Sequence, residues 1–340
     1  MTAADTGTGA TIFGCAGPVL GRDEAAFFRD ADPFGFILFA RNVENPDQIL
    51  RLTSDLRAAV GRDAPILVDQ EGGRVQRLRA PHWREWLPPL DQVERSGLRA
   101  AEGMAIRSRI IAAELRAVGI DANCAPCADI ASPVTHPFLR NRCYGSDAET
   151  VTQVARAVAE GHLAGGVLPV VKHMPGHGRS TADTHHDLPT VTEDAATLAA
   201  TDFAPFRALN DLPMAMTSHI VFAAFDPDHP ATQSPEVIRM IRRKIGFDGL
   251  LMTDDLNMQA LAGTLAERAA LAIGAGCDIA LHCKGDLAEM QAVASAAGLM
   301  GAEALLRAAR ALSRRRDPDA VDIPALEAKL AGILQGAPHG

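Results

Sequence analysis

Eight short apolar runs, separated by segments of helical periodicity, limit the folds open to this sequence more than any other feature. They are TIFGCAG (11–17), GFILF (35–39), PILVDQ (65–70), IDANCAP (120–126), VLPVVKH (167–173), PMAMTSHI (213–220), GLLMTDD (249–255) and CDIALHC (277–283). Most are apolar at successive rather than alternate positions, the pattern of strands buried on both faces of a parallel sheet. Eight is the number a closed (β/α)8 barrel needs. The length of 340 residues suits such a barrel, or else about two domains of roughly 150 residues. No internal repeat, low-complexity tract or composition break marks a second domain. A doubly wound open sheet competes, but eight runs are too many, and no G-x-G-x-x-G follows the first one. The glycines of GCAGPVLG (14–21) have the wrong spacing for it. The expectation is a single-domain α/β protein over 1–340, a (β/α)8 TIM-type barrel with its core at about 10–285 and a helical segment at 286–340.

The segments between the runs carry helix start and stop signals. Asn45-Pro46-Asp47-Gln48 offers an N-cap, a proline at the first helical position and a Gln at the third. Ile49, Leu52 and Leu56 follow at helical spacing, and Gly61 ends the pattern. Ser146 and Glu149 form a capping-box pattern before Val151, Val154, Ala155 and Val158. Met104, Ile111, Leu115 and Val118 make an apolar stripe before the fourth run, and Ser234-Pro235 opens a later helix. Arg314–Asp322, charged and interrupted by Pro318, reads as a linker to a last short helix.

Composition removes several function classes. The apolar fraction is 47% and the charged fraction 22%, so disorder is not expected. A formal net charge of −9 argues against a general polyanion binder, and no nucleic acid is expected as partner. No run of about 18 apolar residues is free of charge, so no membrane partner is expected either. The first residues lack the basic-then-apolar pattern of a secretory signal, and six cysteines fall short of a disulfide scaffold, so a reduced, cytoplasmic protein is expected. With one Tyr and two Trp, a broad aromatic sugar platform is less plausible than a site built from polar groups.

Five runs end in polar residues: Asp69, Lys172 with His173, His219, Asp254 with Asp255, and His282. Barrel enzymes place their chemistry at these C-terminal strand ends. The densest segment is KHMPGHGRSTADTHHDLP (172–189), with four histidines, one lysine and two aspartates. Pro175, Gly176 and Gly178 keep it from forming a regular helix. It reads as a solvated loop, as a metal site, or as a proton-transfer pair of Asp183 with His185. The metal reading is the weaker, since HExxH-type ligation needs a helix to align two imidazoles, and no metal or cofactor is expected. In TDD (253–255), one acid can serve as nucleophile, base or ligand while the other caps or supports. VDQEGGRVQR (68–77) places Asp69 at a strand end with Arg74 and Arg77 nearby, either a sugar-hydroxyl site or a structural ion pair. Arg140 and Arg142 lie near another strand end. Cys124-x-x-Cys127 has no second CxxC and contains Pro126, so structural thiols are expected there.

Together these segments resemble glycoside hydrolase family 3, and within it the bacterial β-N-acetylhexosaminidases (β-N-acetylglucosaminidases) of peptidoglycan recycling. The resemblance spans about residues 10–285 and rests on K-H-M-P-G-H-G (172–178) with D-T-H (183–185), on MIRRKIGFDGLLMTDDLNM (240–258), on VDQEGGRVQR and on the Arg142-Cys143-Tyr144 turn. Met174 stands where a Phe or similar residue is usual, a conservative apolar change. The resemblance implies that Asp254 is the nucleophile, His185 the acid/base and Asp183 its orienting partner. It implies that Asp69, Arg77, Arg142, Lys172 and His173 hold the terminal sugar. The implied substrate is a small carbohydrate, GlcNAc-containing muropeptide fragments, cleaved from the non-reducing end with retention by a monomeric enzyme. An unperturbed His titrates at about 6.5, and a neighbouring Asp raises that, so His185 needs no burial to act as an acid. Neutral imidazole does not repel phosphate, so phosphorolysis is an alternative to hydrolysis, as is a broader β-glycosidase of the same family. A sugar-binding barrel without catalysis predicts a lost catalytic residue, and none is lost. A metal-dependent barrel hydrolase predicts sensitivity to chelators.

Overall fold

The computed structural model describes residues 7–181 and 187–335. All eight apolar runs contain strands: β1 (Gly9–Gly14), β2 (Pro33–Leu38), β3 (Ile66–Val68), β4 (Ala122–Asn123), β5 (Leu168–Met174), β6 (Met214–Thr217), β7 (Leu250–Met252) and β8 (Ala280–His282). They pair in parallel in the order β7-β6-β5-β4-β3-β2-β1-β8, so spatial order follows chain order around a circuit. A parallel bridge between Met252 and Ile279 closes it, with Asp278 N donating to Leu251 O at 2.8 Å and Thr253 N to Ile279 O at 3.0 Å. The architecture is therefore the (β/α)8 barrel that the eight runs predict.

One contiguous buried cluster takes a residue from every strand: Ile12, Phe36, Leu67, Ala122, Val170, Met214, Leu250 and Leu281. Runs apolar at successive positions make sense here. Alternate side chains enter the barrel and the others meet the surrounding helices, so neither face is solvated. Because the strands are all parallel, their C-terminal ends meet at one rim, and the polar residues that end them are brought together there.

The helices start largely where the sequence signals them. Asn45 accepts the Gln48 N–H and Gly61 closes helix Pro46–Val60 at φ +66°, a left-handed position that suits glycine. Ser234 accepts the Val237 N–H at the start of helix Pro235–Met240. The Ser146/Glu149 box does not form. Helix Ala148–Ala164 is capped one residue later by Asp147, whose Oδ1 accepts the Thr150 N–H at 2.8 Å. An ionised carboxylate at that place also gains from the positive end of the helix dipole, which a serine cannot match.

After β8, helix Leu287–Ala297 puts Met290 and Val293 into the main core, and helix Ala302–Leu312 adds Ala304, Ala308 and Ala311. Residues 315–322 have no regular structure. Helix Ile323–Gln335 then docks on helix Ala100–Ala117 through Leu330 and Ile333 against Ile106 and Ile110. Lys329 pairs with Glu102 at 2.8 Å, and Arg84 bridges Glu114 and Glu327. Among the described residues no helix is long and apolar enough to cross a membrane.

Candidate active site

The strand ends deliver six of the singled-out residues to one cleft. Asp69 directly follows β3, Lys172 and His173 lie in β5, and Asp254 comes two residues after β7. Arg142 arrives on the long β4 loop, just past the short helix Pro137–Arg140. Arg77 follows a small antiparallel ladder formed by Gln70–Gly72 and Val75–Gln76. Gly72 and Gly73 turn that ladder at φ +109° and +57°, and a Cβ on Gly72 would run into the Arg107 guanidinium. The cleft has a volume of about 220 Å³ and is lined by Asp69, Arg77, Arg142, Lys172, His173 and Asp254, with Phe39, Phe138 and His177 beside them. That is small against the roughly 300–1,000 Å³ of drug-sized ligand sites, and suits one compact polar group.

One wall is a dense ion cluster. Lys172 Nζ lies 2.9 Å from Asp69 Oδ1 and 2.6 Å from Glu71 Oε1. Arg77 Nη2 donates to Asp69 Oδ2 at 2.9 Å. Arg142 grips Glu71 with both ends of its guanidinium, Nε to Oε2 at 2.9 Å and Nη2 to Oε1 at 2.7 Å. The side chains of Glu71 and Lys172 are 1% and 2% exposed, so these charges are compensated by one another rather than by water. Burial acts to raise the Asp69 and Glu71 carboxyls, but the cations outweigh it: Lys172 and Arg77 hold Asp69 well below the carboxylate range, and Arg142 and Lys172 bring Glu71 to about 2. Burial likewise opposes the Lys172 charge, and Asp69 with Glu71 reverse that effect and push its ammonium above the usual value. Asp69, Glu71 and Lys172 are therefore held in their ionised forms at neutral pH.

A second buried unit supports His173. Its Nδ1 lies 2.7 Å from Asp129 Oδ2, and its Nε2 lies 3.4 Å from Arg142 Nη2. Asp129 Oδ1 accepts the backbone N–H of His177 at 2.7 Å. Asp129 thus fixes both the ring of His173 and the start of the histidine-rich loop. That loop is also pinned further on, where His136 N donates to Ser180 O at 3.0 Å and Thr135 Oγ1 donates to Gly178 O.

Asp254 lines the same cleft. Burial would raise its carboxyl, but the nearby His173 and His219 and a hydrogen bond from Asp255 N to Oδ1 at 2.8 Å keep it below the ordinary value. It is therefore a carboxylate at neutral pH, the state a nucleophile needs. Its neighbour Asp255 takes the supporting part. Asp255 Oδ1 accepts the N–H groups of Asn257 and Cys283, both at 3.1 Å, and its carbonyl meets His219 Nε2 at 3.1 Å.

Asp69, Arg77, Arg142, Lys172, His173 and Asp254 thus converge, although they span 186 positions of sequence from Asp69 to Asp254. Asp183 and His185 lie outside the described residues. Two anchors were not singled out from the sequence. Glu71 sits in VDQEGGRVQR between noticed residues, and Asp129 follows the CAPCA stretch. A lone acid gives no sign of which distant cation it will meet. Arg74, read with Arg77 as a ligand bracket, also lines the cleft and places its guanidinium 3.3 Å from the centre of the Phe138 ring. All six cysteines are free and buried, in line with structural thiols.

An ionised carboxylate facing fixed cations and hydrogen-bonding groups is suited to substitution at the anomeric carbon of a sugar held by its hydroxyls. Comparison with known proteins agrees. Residues 22–311 match the model of the glycosyl hydrolase family 3 N-terminal domain. The chain is 39% identical over 280 residues to a beta-hexosaminidase of Methylococcus capsulatus, covering 80% of this chain and 82% of that one. It is 35% identical over 289 residues to a Bordetella pertussis beta-hexosaminidase, covering 83% and 82%. Among solved structures, NagZ from Neisseria gonorrhoeae in complex with N-trifluoroacetyl-D-glucosamine superposes with a TM-score of 0.85 at 29% identity, covering 96% of this chain and 98% of that one. A family 3 beta-N-acetylglucosaminidase from Paenibacillus superposes with a TM-score of 0.80 at 30% identity, over 97% of this chain, which spans 62% of that longer protein. The chain is a glycoside hydrolase and belongs to glycoside hydrolase family 3.

Proposed function

We propose that this protein is an exo-acting, retaining β-N-acetylhexosaminidase that releases terminal β-linked GlcNAc from muropeptide-derived fragments in the cytoplasm, working as a monomer. The observation that carries the reading is the Asp254 carboxylate, kept ionised in the same small cleft that Asp69, Arg77, Arg142, Lys172 and His173 line. The relatives named beta-hexosaminidase support the choice of sugar. In this mechanism the wall orients the terminal ring through its hydroxyls and Asp254 attacks the anomeric carbon. His185, oriented by Asp183, protonates the leaving oxygen, and the sugar–Asp254 ester forms as the glycosidic bond breaks. His185 then takes a proton from water, which attacks the same carbon and frees Asp254 with net retention. The stem at His177–Ser180, which precedes the Asp183 and His185 pair in sequence, is pinned, and His177 lines the cleft.

The test is turnover of chromogenic β-GlcNAc and β-glucoside substrates, each with and without phosphate. The expected outcome is preferential cleavage of the β-GlcNAc substrate, with the free sugar as product and no acceleration by phosphate. Formation of a sugar 1-phosphate would replace hydrolysis by phosphorolysis. Asp254→Asn should lower kcat by at least about 10³-fold, the scale seen when a covalent catalyst is removed, with an unchanged circular dichroism spectrum. Most activity surviving in that variant would sink the assignment.

A further inference from the structure

Behind the His173 side of the cleft wall, the structure assembles a soft donor set that the proposed reaction does not use. Cys127 Sγ, Asp129 Oδ2 and His173 Nδ1 all lie within 4.8 Å of one another, and all three residues are buried. The sulfur is 3.3 Å from Asp129 Oδ2, and His173 Nδ1 is 2.7 Å from the same oxygen. We propose that Cys127, Asp129 and His173 form a binding site for a thiophilic divalent cation of the Zn²⁺ class, and that occupancy of this site inhibits the enzyme.

The geometry fits the ion. Zinc bonds of about 2.3 Å to sulfur and about 2.0–2.2 Å to nitrogen and oxygen give tetrahedral ligand-to-ligand edges of roughly 3.4–3.6 Å. The sulfur–oxygen pair is already near that length, and the His–Asp pair must open by less than an ångström. Three protein donors leave a fourth position for water, and Cys143, which contacts Cys127 in the same buried cluster, is a further sulfur close by. The donors are also held from behind. Asp129 Oδ1 takes the His177 N–H, and Cys127 pairs with Lys172 across the extension of β4 and β5. Of the three donors, His173 is also a residue that lines the cleft.

Charge and protons balance. The Asp129 carboxylate and a Cys127 thiolate together neutralise a divalent cation. Contact with the Cys143 thiol, burial and the Asp129 charge push the Cys127 thiol well above its ordinary value, so the free protein holds a thiol there. A coordinated thiol is deprotonated, so binding releases that proton, and affinity rises with pH. The set mixes sulfur, nitrogen and a single carboxylate oxygen, which favours zinc-like ions over magnesium or calcium. Occupancy ties His173 to the metal and away from its hydrogen bond with Asp129, disturbing the wall next to Arg142. That inhibitory consequence rests on the glycosidase reading above; the binding does not.

The test uses the full chain, stripped with a chelator and then titrated with Zn²⁺ by calorimetry and with Co²⁺ by absorption. The expected results are one Zn²⁺ per chain, a thiolate-to-Co²⁺ charge-transfer band, and loss of turnover that EDTA restores. Cys127→Ser should abolish the band, weaken Zn²⁺ binding at least tenfold and make affinity less steep in pH. It should keep basal turnover within about twofold, since Cys127 does not line the cleft. Cys127→Ala serves if the serine variant folds poorly, and the wild-type band is informative without either. Absence of the band, or Zn²⁺ binding and inhibition unchanged in both variants, would overturn the proposal by leaving the metal to the loop histidines or to no site. If the protein binds Zn²⁺ with the band but cleaves no glycoside, the glycosidase reading fails and the metal site stands.

Discussion

Glu71 accepts three charge-assisted hydrogen bonds from Arg142 and Lys172 with almost no access to water. Its removal strands two cations, which explains why one acid outside the proposed chemistry matters to the site. Breaking a buried ion pair by deleting one partner costs about 3–5 kcal/mol. Glu71→Gln is expected to lose that much in urea unfolding, and to raise KM by about tenfold as Lys172 and Arg142 lose their positions. Wild-type values of both would show that the cluster does not depend on Glu71. A pH effect follows from the same residue. The Glu71 carboxyl lies near 2 in the folded protein against an ordinary 4.5, so its stabilisation is present above pH 4.5 and drains away as pH falls toward 2. Acid unfolding of the wild type should steepen in that window, and Glu71→Gln should flatten it.

The loop from β5 acts as an element because its stem is fixed at several points. Asp129 holds His177 N, His136 holds Ser180 O, and Gly178 lies so close to the preceding loop that a Cβ would stand 1.9 Å from Ile130 O. Gly178→Ala must therefore move the stem. A displacement of about 1 Å at a reacting group can cost around 10²-fold in rate. The expected result is a fall in kcat of tenfold or more, with the unfolding midpoint changed much less than in Glu71→Gln; an unchanged kcat would mean that the stem does not set the acid/base position. The helix caps show what was readable at this scale. Asn45 and Ser234 cap where the sequence marks them, because each cap is settled within four residues. Ser146 and Asp147 are adjacent candidates, and the last residue before the helical backbone took the role.

Across the whole molecule, the barrel separates what holds it together from what reacts. The C-terminal helix Ile323–Gln335 covers helix Ala100–Ala117 through its own small core, and none of its residues lines the cleft. Ile333→Ala should cost about 2–5 kcal/mol, as buried Ile-to-Ala changes do, seen as a lower unfolding midpoint. At 25 °C kcat/KM should remain within about twofold, and a large loss would mean that the helix supports the site. The net charge of −9 also takes a different meaning at this scale. Lys172, Arg74, Arg77 and Arg142 of the cleft are offset by Asp69, Asp254 and Asp255 of its lining and by Glu71 behind it, four cations against four anions, so the excess acid lies elsewhere.

The number and order of the strands are legible in the sequence, because a strand buried on both faces must be apolar at successive positions and chain order is barrel order. The sequence also shows which strands end in polar side chains, and so puts Asp69, Lys172, His173 and Asp254 at one rim. The tertiary structure alone decided which charges meet. Lys172 reaches both Asp69 and Glu71, Arg142 is clamped by Glu71, and Asp129 joins His173 to Cys127. Such pairings depend on the closure of the barrel, which sets residues far apart in the chain a few ångströms from one another, and no local pattern of residues encodes that distance.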